Sequence, residues 1–252
     1  MTPIDVRPAG YADVKSFREL YRQEANCQIV RDSVLARGFA QAYLIWVDGR
    51  PAGYGSVGVR YDTGHLLEFY ILPQCRARAR WIFRELLAVS HATHIQAQTN
   101  MPLMLMMLYD CAHAITTEAI LVEDAFASSL NCPQGVFRRA TAEEIPSIFP
   151  HTHEPVGEWV IETDGAIVAT GGFLTHYNPP YADLFMEVSE AARQRGYGSF
   201  LLQELKRVCY EAGYMPAARC APDNVASRRT MEKAGLLPCG RLLVGEVSAP
   251  KP

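Results

Sequence analysis

The segment Arg193-Gln194-Arg195-Gly196-Tyr197-Gly198-Ser199 sets two arginines and two glycines between a run that reads as a buried strand and one that reads as an amphipathic helix. A helix start has backbone N–H groups with no partner in the helix and the positive end of the helix dipole, and together these bind phosphate. Glycines at 196 and 198 let the main chain approach such a ligand, since no Cβ holds it off. Arg193 and Arg195 add charge. The chemistry these residues suggest is capture of a phosphorylated ligand; the plainer reading is a structural turn.

Two carboxylates precede this turn. Asp183 and Glu187 lie on the incoming strand, and alternation puts both on one face with Phe185 between them, unless a bulge resets the facing. Either is a candidate base, with Glu187 favoured because it adjoins Val188, and an exposed edge carboxylate is an equally good reading. His176, Tyr177 and Tyr181, in the loop before this strand, are placed to meet a second substrate or simply to pack. Cys220 has no histidine near it in sequence and reads as a buried, inert thiol. His151-Thr152-His153-Glu154 has metal-ligand residue types, but no further ligand pair supports it, so the segment reads as a loop and no metal is expected.

The elements that must hold these residues occur twice. Asp164 lies 116 residues after Asp48, and the same shift pairs Gly49 with Gly165, Gly55 with Gly171, Tyr61 with Tyr177 and Phe69 with Phe185. Each copy reads as strand, Asp-Gly turn, strand, loop, strand, then helix. In the second copy Leu201, Leu205 and Val208 mark the buried face of a helix from Gly198 to Ala212, with Gln203, Lys206 and Arg207 on the opposite side. A short strand at 216–220, a helix around Val225 to Ala234 closed by Gly235, and a last strand at 241–247 follow. A repeat this long is a copied domain, so the expectation is two domains, 1–131 and 132–252, with the link within Ser128 to Gly135.

Composition sets the bounds. Of 252 residues 49% are hydrophobic, and the net charge of -3 provides no basic field for nucleic acid or for an anionic membrane. Seven scattered cysteines without a C-x-x-C pair argue against a disulfide framework and for a reducing compartment. The N-terminus lacks a signal-peptide pattern, and no apolar run approaches the roughly 18 residues a membrane span needs. A soluble cytoplasmic protein is expected.

Val188, Arg193, Gly196 and Gly198 match V-x-P-x-x-R-x-x-G-x-G with Glu190 in place of the proline, and Asn224, Ser227, Lys233 and Gly235 match N-x-x-S-x-x-x-x-x-K-x-G. These stretches resemble motifs A and B of the GNAT superfamily of acetyl-CoA-dependent acetyltransferases. The resemblance implies an α/β fold of two GNAT-like domains, each a mostly antiparallel, mixed sheet flanked by helices, with a splayed central strand pair. It implies that main-chain groups near Val188 bind the pantetheine arm of acetyl-CoA. Arg193, Gln194, Arg195, Gly196, Tyr197, Gly198 and Ser199 would then hold its pyrophosphate, and Asn224 and Ser227 would line the arm near the thioester. The catalytic candidates become Glu187 and Asp183 as base and Ser227 as hydrogen-bond donor to the leaving sulfur. The tyrosine usual for the acid role is Met231 here, which has no proton to give.

The first copy departs from this pattern. The 116-residue shift lands Arg80, Trp81 and Ile82 on Gly196, Tyr197 and Gly198, so its coenzyme site is expected to be lost. Asn100 matches Asn224 and precedes a methionine-rich helix that reads as core. This half is expected to prop, shape or cover the acceptor site of the second. The function expected is N-acetyl transfer to a small-molecule or peptide amine by direct attack, in a monomer or homodimer without metal, nucleic acid or membrane. A non-catalytic acyl-CoA-binding or sensing module is the alternative, and an inert scaffold a third.

Overall fold

Both Asp-Gly pairs form the tight hairpins their residue types favour. In the computed structural model, which describes residues 3–24, 32–132, 134–175 and 179–248, strands β2 (Ala40–Val47) and β3 (Arg50–Gly58) are joined by Asp48-Gly49, with φ of 54° and 74°. Asp164-Gly165 turns with φ of 50° and 76°. Two successive left-handed residues make the turn whose twist matches the flanking strands, and Asp and Gly tolerate that conformation best. The internal repeat is therefore conformational as well as textual.

Contacts divide the chain into two units. Unit 1 comprises residues 1–119 and 240–252, and unit 2 residues 120–239. The last strand of unit 1 thus comes from the chain's C-terminal end, and residues 120–131 belong with unit 2, a division that a single cut at 131/132 does not describe. Unit 1 contains β1 (Ile4–Ala9), α1 (Tyr11–Glu24), α2 (Asp32–Ala36), β2, β3, β4 (His65–Ile71), α3 (Ala79–Ser90), β5 (His94–Gln98), α4 (Pro102–Cys111) and the first part of β6 (Ala112–Asp124). Unit 2 takes the rest of β6, then β7 (Val136–Arg139), β8 (Trp159–Thr163), β9 (Ala166–Leu174), β10 (Tyr181–Val188), α5 (Tyr197–Glu211), β11 (Met215–Cys220), α6 (Val225–Lys233) and the start of β12 (Leu236–Val247).

The sheet of unit 1 runs β1-β2-β3-β4-β5-β12, antiparallel except for β4 beside β5. Unit 2 runs β6-β11-β10-β9-β8-β7, antiparallel except for β10 beside β11. Each unit has its own apolar core. Met101, Met104 and Met107 are buried in that of unit 1, so the methionine-rich helix is core, as its spacing suggests. A charge pair is also buried there: Arg18 pairs with Glu68 at 2.7 Å, and Glu68 accepts a further hydrogen bond from Tyr54 at 3.1 Å.

In unit 2, Leu201, Leu205 and Val208 of α5 face the core as the periodicity predicts. The opposite side is not the solvated face expected. Lys206 is buried, donates to the carbonyls of Phe126 and Ala234 at 2.8 Å each and pairs with Asp124. Gln203 accepts from the N–H of Leu130 and the hydroxyl of Ser128. The segment read as a link is therefore strapped along α5, and of the three polar residues only Arg207 is exposed.

The parallel pair β10–β11 is hydrogen-bonded only from Tyr181/Met215 to Asp183/Ala217. Beyond that point β10 continues along β9 to Val188, and β11 continues along β6 to Cys220, so the two strands part. The splayed pair expected from the motif resemblance is present in unit 2. Replacing Lys206 with Met should leave Asp124 without its cation and cost about 3 kcal/mol, read as a lowered denaturant midpoint; an unchanged midpoint would show that the strap contributes nothing to stability.

Candidate functional site

The gap between β10 and β11 starts at Asp183, and the turn into α5 follows the far end of β10. Ser189 starts a short 3-10 turn (Glu190–Ala192), and the chain then places Gln194 (φ 64°) and Gly196 (φ 89°) in the left-handed region. The first bond of α5 runs from the Phe200 N–H to the Gly196 carbonyl at 3.1 Å, which leaves the N–H groups of Tyr197, Gly198 and Ser199 outside the helix ladder. A Cβ on Gly196 would meet nothing within 4 Å. Arg193, Gln194, Arg195 and Gly196 are exposed around these amides, and Arg193 Nε donates to the Val188 carbonyl at 3.3 Å. Helix-start N–H groups flanked by arginines are donors of the kind that takes an anion.

Gly198 is bare for a different reason. It is buried, and a Cβ there would lie 3.1 Å from Thr230 Cγ2, 3.2 Å from Met186 Cε and 3.3 Å from Val188 Cγ2. Its missing side chain lets α5 sit close against α6 and β10, rather than clearing a path for the ligand. Of these two glycines, Gly196 is the one that combines a left-handed φ with open space.

Unit 1 lacks the cradle. Leu72 (φ −54°, ψ 143°) and Ser189 (φ −54°, ψ 142°) occupy equivalent points before their 3-10 turns, so the correspondence is 117 residues here and the constant shift of 116 slips by one. Ala79 then answers to Gly196 and Trp81 to Gly198. Ala79 is right-handed (φ −49°, ψ −45°), and no residue between Leu72 and Ser90 is left-handed among those described. The 3-10 turn runs straight into α3, which leaves no loop of outward-turned amides.

The outward face of β10 carries the carboxylates. Its pairing with β9 has no bulge, so Asp183, Phe185 and Glu187 do share a face. Glu187 is buried and accepts five hydrogen bonds: from the N–H of Thr152 to both oxygens (3.1 and 3.3 Å), the Thr152 hydroxyl (3.0 Å), and the N–H groups of His153 (3.1 Å) and Glu154 (3.0 Å). Burial alone would raise its pKa, but these donors outweigh it and bring the carboxyl down to about 2. His151 extends the anchor: its Nε2 lies 2.6 Å from the hydroxyl of the fully buried Thr170. The 151–154 segment is thus a loop pinned to β10 by its main chain.

Asp183 has the opposite environment. It sits at the last β10–β11 pair with Arg219 Nε at 3.6 Å, and burial raises its pKa to about 6 against the lowering effect of Arg219 and with a further rise from Glu154. Glu154 is itself raised by burial. Asp183, Glu154 and Arg219 form a polar group beside the gap that sequence reasoning did not assemble. The one signal was an arginine alternating among the buried Ala217, Ala218 and Cys220 of β11.

Asn224 caps α6 by accepting from the Ser227 N–H at 3.0 Å. The Ser227 hydroxyl makes no hydrogen bond among the described residues, and Ser227 lies one turn from Thr230, on the helix side that packs over Gly198. Met231 is buried in the core. Cys220 is buried with its thiol pKa raised by burial, which suits an inert group. His176 and Tyr177 lie outside the described residues, and Tyr181 begins β10. Among the described residues no group of three His, Cys, Asp or Glu side chains could hold a metal, and no helix is long and apolar enough to cross a membrane.

An acetyltransferase (GNAT) family model matches residues 122–236, and a GNAT acetyltransferase domain model matches residues 12–125. With both sheets and the split strand pair, these matches define two GNAT domains in tandem. The chain belongs to the GNAT acetyltransferase family, whose general chemistry is acyl transfer. Among solved structures it is similar to a GNAT-family acetyltransferase from Colwellia psychrerythraea (TM-score 0.76, 16% identity, 97% of this chain and 100% of that one). It is also similar to a tandem GNAT protein from the clavulanic acid biosynthesis pathway (TM-score 0.59, 13% identity, 99% and 100%) and to a GCN5-related N-acetyltransferase from Sphaerobacter thermophilus (TM-score 0.54, 17% identity, 100% and 98%). At these identities the likeness is one of fold. No curated protein sequence matches the chain.

Two outcomes test this geometry. Gly198→Trp should disrupt the packing of α5 against α6, lowering the melting temperature or abolishing cooperative unfolding; a variant that melts like the parent would show the site to be open. For Glu187, a pKa depressed in the folded state means that its stabilisation is present above the carboxylate's ordinary value near 4.5 and is lost as pH falls toward about 2. Glu187→Gln should therefore cost about 2 kcal/mol at pH 7, and the difference from the parent should shrink as pH is lowered from 5 to 2. A difference that stays constant with pH would reject the anchoring role.

Proposed function

We propose that unit 2 transfers an acetyl group from acetyl-CoA to the amine of a small molecule or peptide by direct attack. The observation that carries this reading is the strand split that opens at Asp183 and ends at the donor-lined turn of Gln194 and Gly196. The outward-turned amides of residues 194–199, with Arg193 and Arg195, fit a diphosphate. The unpaired inner edge of β10 up to Val188 fits an amide-bearing pantetheine arm, with Asn224 and Ser227 toward its thioester end. Bound acetyl-CoA would supply an activated carbonyl and a thiolate leaving group.

The residues of this chain then divide the proton work. Asp183, with a carboxyl raised to about 6 at the apex of the split, takes the proton from the incoming ammonium. Glu187 holds the 151–154 loop in place and does not act as base, since a group held near 2 has little affinity for a proton at neutral pH. Arg219 steadies the ionised Asp183. The leaving sulfur takes its hydrogen bond from the Ser227 hydroxyl, because the buried Met231 has no proton to offer. We place this reaction in the cytoplasm, in a monomer or homodimer, without metal, nucleic acid or membrane. Met231 at the position of the usual acid also supports a second reading, a non-catalytic acyl-CoA-binding or sensing module; thiol release from acetyl-CoA with a panel of amines separates the two.

If Asp183 is the base, kcat/KM should rise as pH climbs through about 6, where its carboxyl loses its proton. Asp183→Asn should cut the rate about 100-fold and remove that limb, while Glu187→Gln should keep the limb in whatever fraction remains folded. Full activity in Asp183→Asn would overturn the assignment. Replacing Arg193 and Arg195 together by Glu should raise the Kd for coenzyme A at least about tenfold, measured by calorimetry; unchanged affinity would place the diphosphate elsewhere.

A further inference from the structure

Two guanidinium groups of unit 1 converge on one aromatic ring. Arg37, just after α2, has its Cζ 4.5 Å from the centroid of the Phe39 ring, and Arg60, just after β3, has its Cζ 4.7 Å from the same centroid. Tyr61 meets Phe39 edge to face at 5.3 Å, with the rings at 83°. Arg60 also lies 5.5 Å from the Tyr61 centroid, so its guanidinium occupies the corner between the two rings. The backbone fixes this arrangement. The Phe39 N–H donates to the Val34 carbonyl at 2.8 Å, and the Phe39 carbonyl accepts from the N–H groups of Val59 (2.9 Å) and Arg60 (3.3 Å). After Gly58 the chain folds back tightly: the Gly64 N–H donates to the Gly58 carbonyl at 2.9 Å, and Asp62 and Gly64 are left-handed. Arg37, Arg60 and Tyr61 are all exposed, Tyr61 by 59%. Neither guanidinium makes a hydrogen bond or ion pair with a described residue, although Asp62 follows Tyr61 in the chain.

We propose that this corner binds an aryl phosphate monoester dianion, gripped by Arg37 and Arg60 together. Stacking on an aromatic face orders a guanidinium while leaving its edge of N–H donors to solvent. Two such cations held together with no counter-charge repel each other, and an anion relieves that repulsion. The number of forks selects the anion. A carboxylate is satisfied by one guanidinium, whereas a phosphate monoester presents three oxygens and about two charges at neutral pH. The two Cζ atoms, both against one ring, are no more than about 9 Å apart, close enough for one phosphate to bridge. The exposed Tyr61 ring beside them offers apolar surface to an aromatic ester. Nucleic acid needs a longer run of phosphate contacts than two arginines supply in a chain of net charge -3. The proposal stands independently of the reading of unit 2.

Calorimetric titration of the full chain with phenyl phosphate tests it, with benzoate and inorganic phosphate as comparisons. Saturable binding of phenyl phosphate is expected, with benzoate at least about tenfold weaker and inorganic phosphate weaker than the ester. Arg37→Gln and Arg60→Gln should each weaken binding at least about tenfold. The double variant Arg37→Lys with Arg60→Lys keeps the charge but loses both forks, and should bind at least about fivefold more weakly than the parent. Both side chains are exposed, so these variants should keep the parent's circular dichroism. A blocked tripeptide with phosphotyrosine between two alanines separates the two sources of the ligand: tighter binding than phenyl phosphate assigns the site to a phosphorylated protein, weaker binding to a small ester, and either upholds the site. Absence of saturable binding by phenyl phosphate would overturn the proposal. So would benzoate or inorganic phosphate binding as tightly as the ester, affinity unchanged in both glutamine variants, or a double lysine variant that binds like the parent.

Discussion

Hydrogen bonding between β10 and β11 stops after three residue pairs, and the architecture of unit 2 follows from that stop. Each strand keeps a partner on its far side, β9 for β10 and β6 for β11, so neither is lost from the sheet. The inner edges past Asp183 and Ala217 are left with backbone groups that need water or a ligand, since unpaired buried peptide groups are costly. An extended ligand rich in amides can complete such an edge as a third strand would. The helices keep the gap from closing: Gly198 brings α5 against Met186 and Val188 of β10 and Thr230 of α6, which fixes the turn of amides at the open end.

Two carboxylates four residues apart on the same strand face have been driven in opposite directions by what covers them. Three consecutive main-chain N–H groups and a hydroxyl converge on Glu187 and hold it ionised far below its usual range, whereas Asp183 has one guanidinium at 3.6 Å and a neighbouring carboxylate, and burial prevails. A pair of acids separated in this way divides the work, one fixing geometry and the other left to exchange a proton. The 151–154 loop serves both: its amides fix Glu187, and its Glu154 raises the pKa of Asp183.

What the sequence made legible was local. The Asp-Gly turns, the buried stripe of α5, the methionine core of α4 and the common face of Asp183 and Glu187 all follow from spacing within a few residues, and the strand split followed from the motif resemblance. What escaped depends on partners far apart in the chain. Lys206 and Gln203 look like a solvated helix face until residues 124–130 lie across them, and His151 to Glu154 look like a spare loop until Glu187, more than thirty residues on, accepts the N–H groups of Thr152, His153 and Glu154. Gly198 shows the same limit in one atom. Spacing correctly flags a position that tolerates no side chain, yet it does not say whether ligand or protein fills the space.

The two units began from one plan, and the turn after the split strand shows how they diverged. With glycine at 196 and a left-handed Gln194, the chain breaks between its 3-10 turn and α5, and the first N–H groups of α5 stay outside the helix ladder. With Ala79 at the corresponding place, the 3-10 turn propagates into α3 and its N–H groups are taken up along the helix. A single Cβ favours the helical path because it disfavours φ near 90°. Losing the amide cradle does not require losing the strand split, since β4 and β5 still part after two pairs.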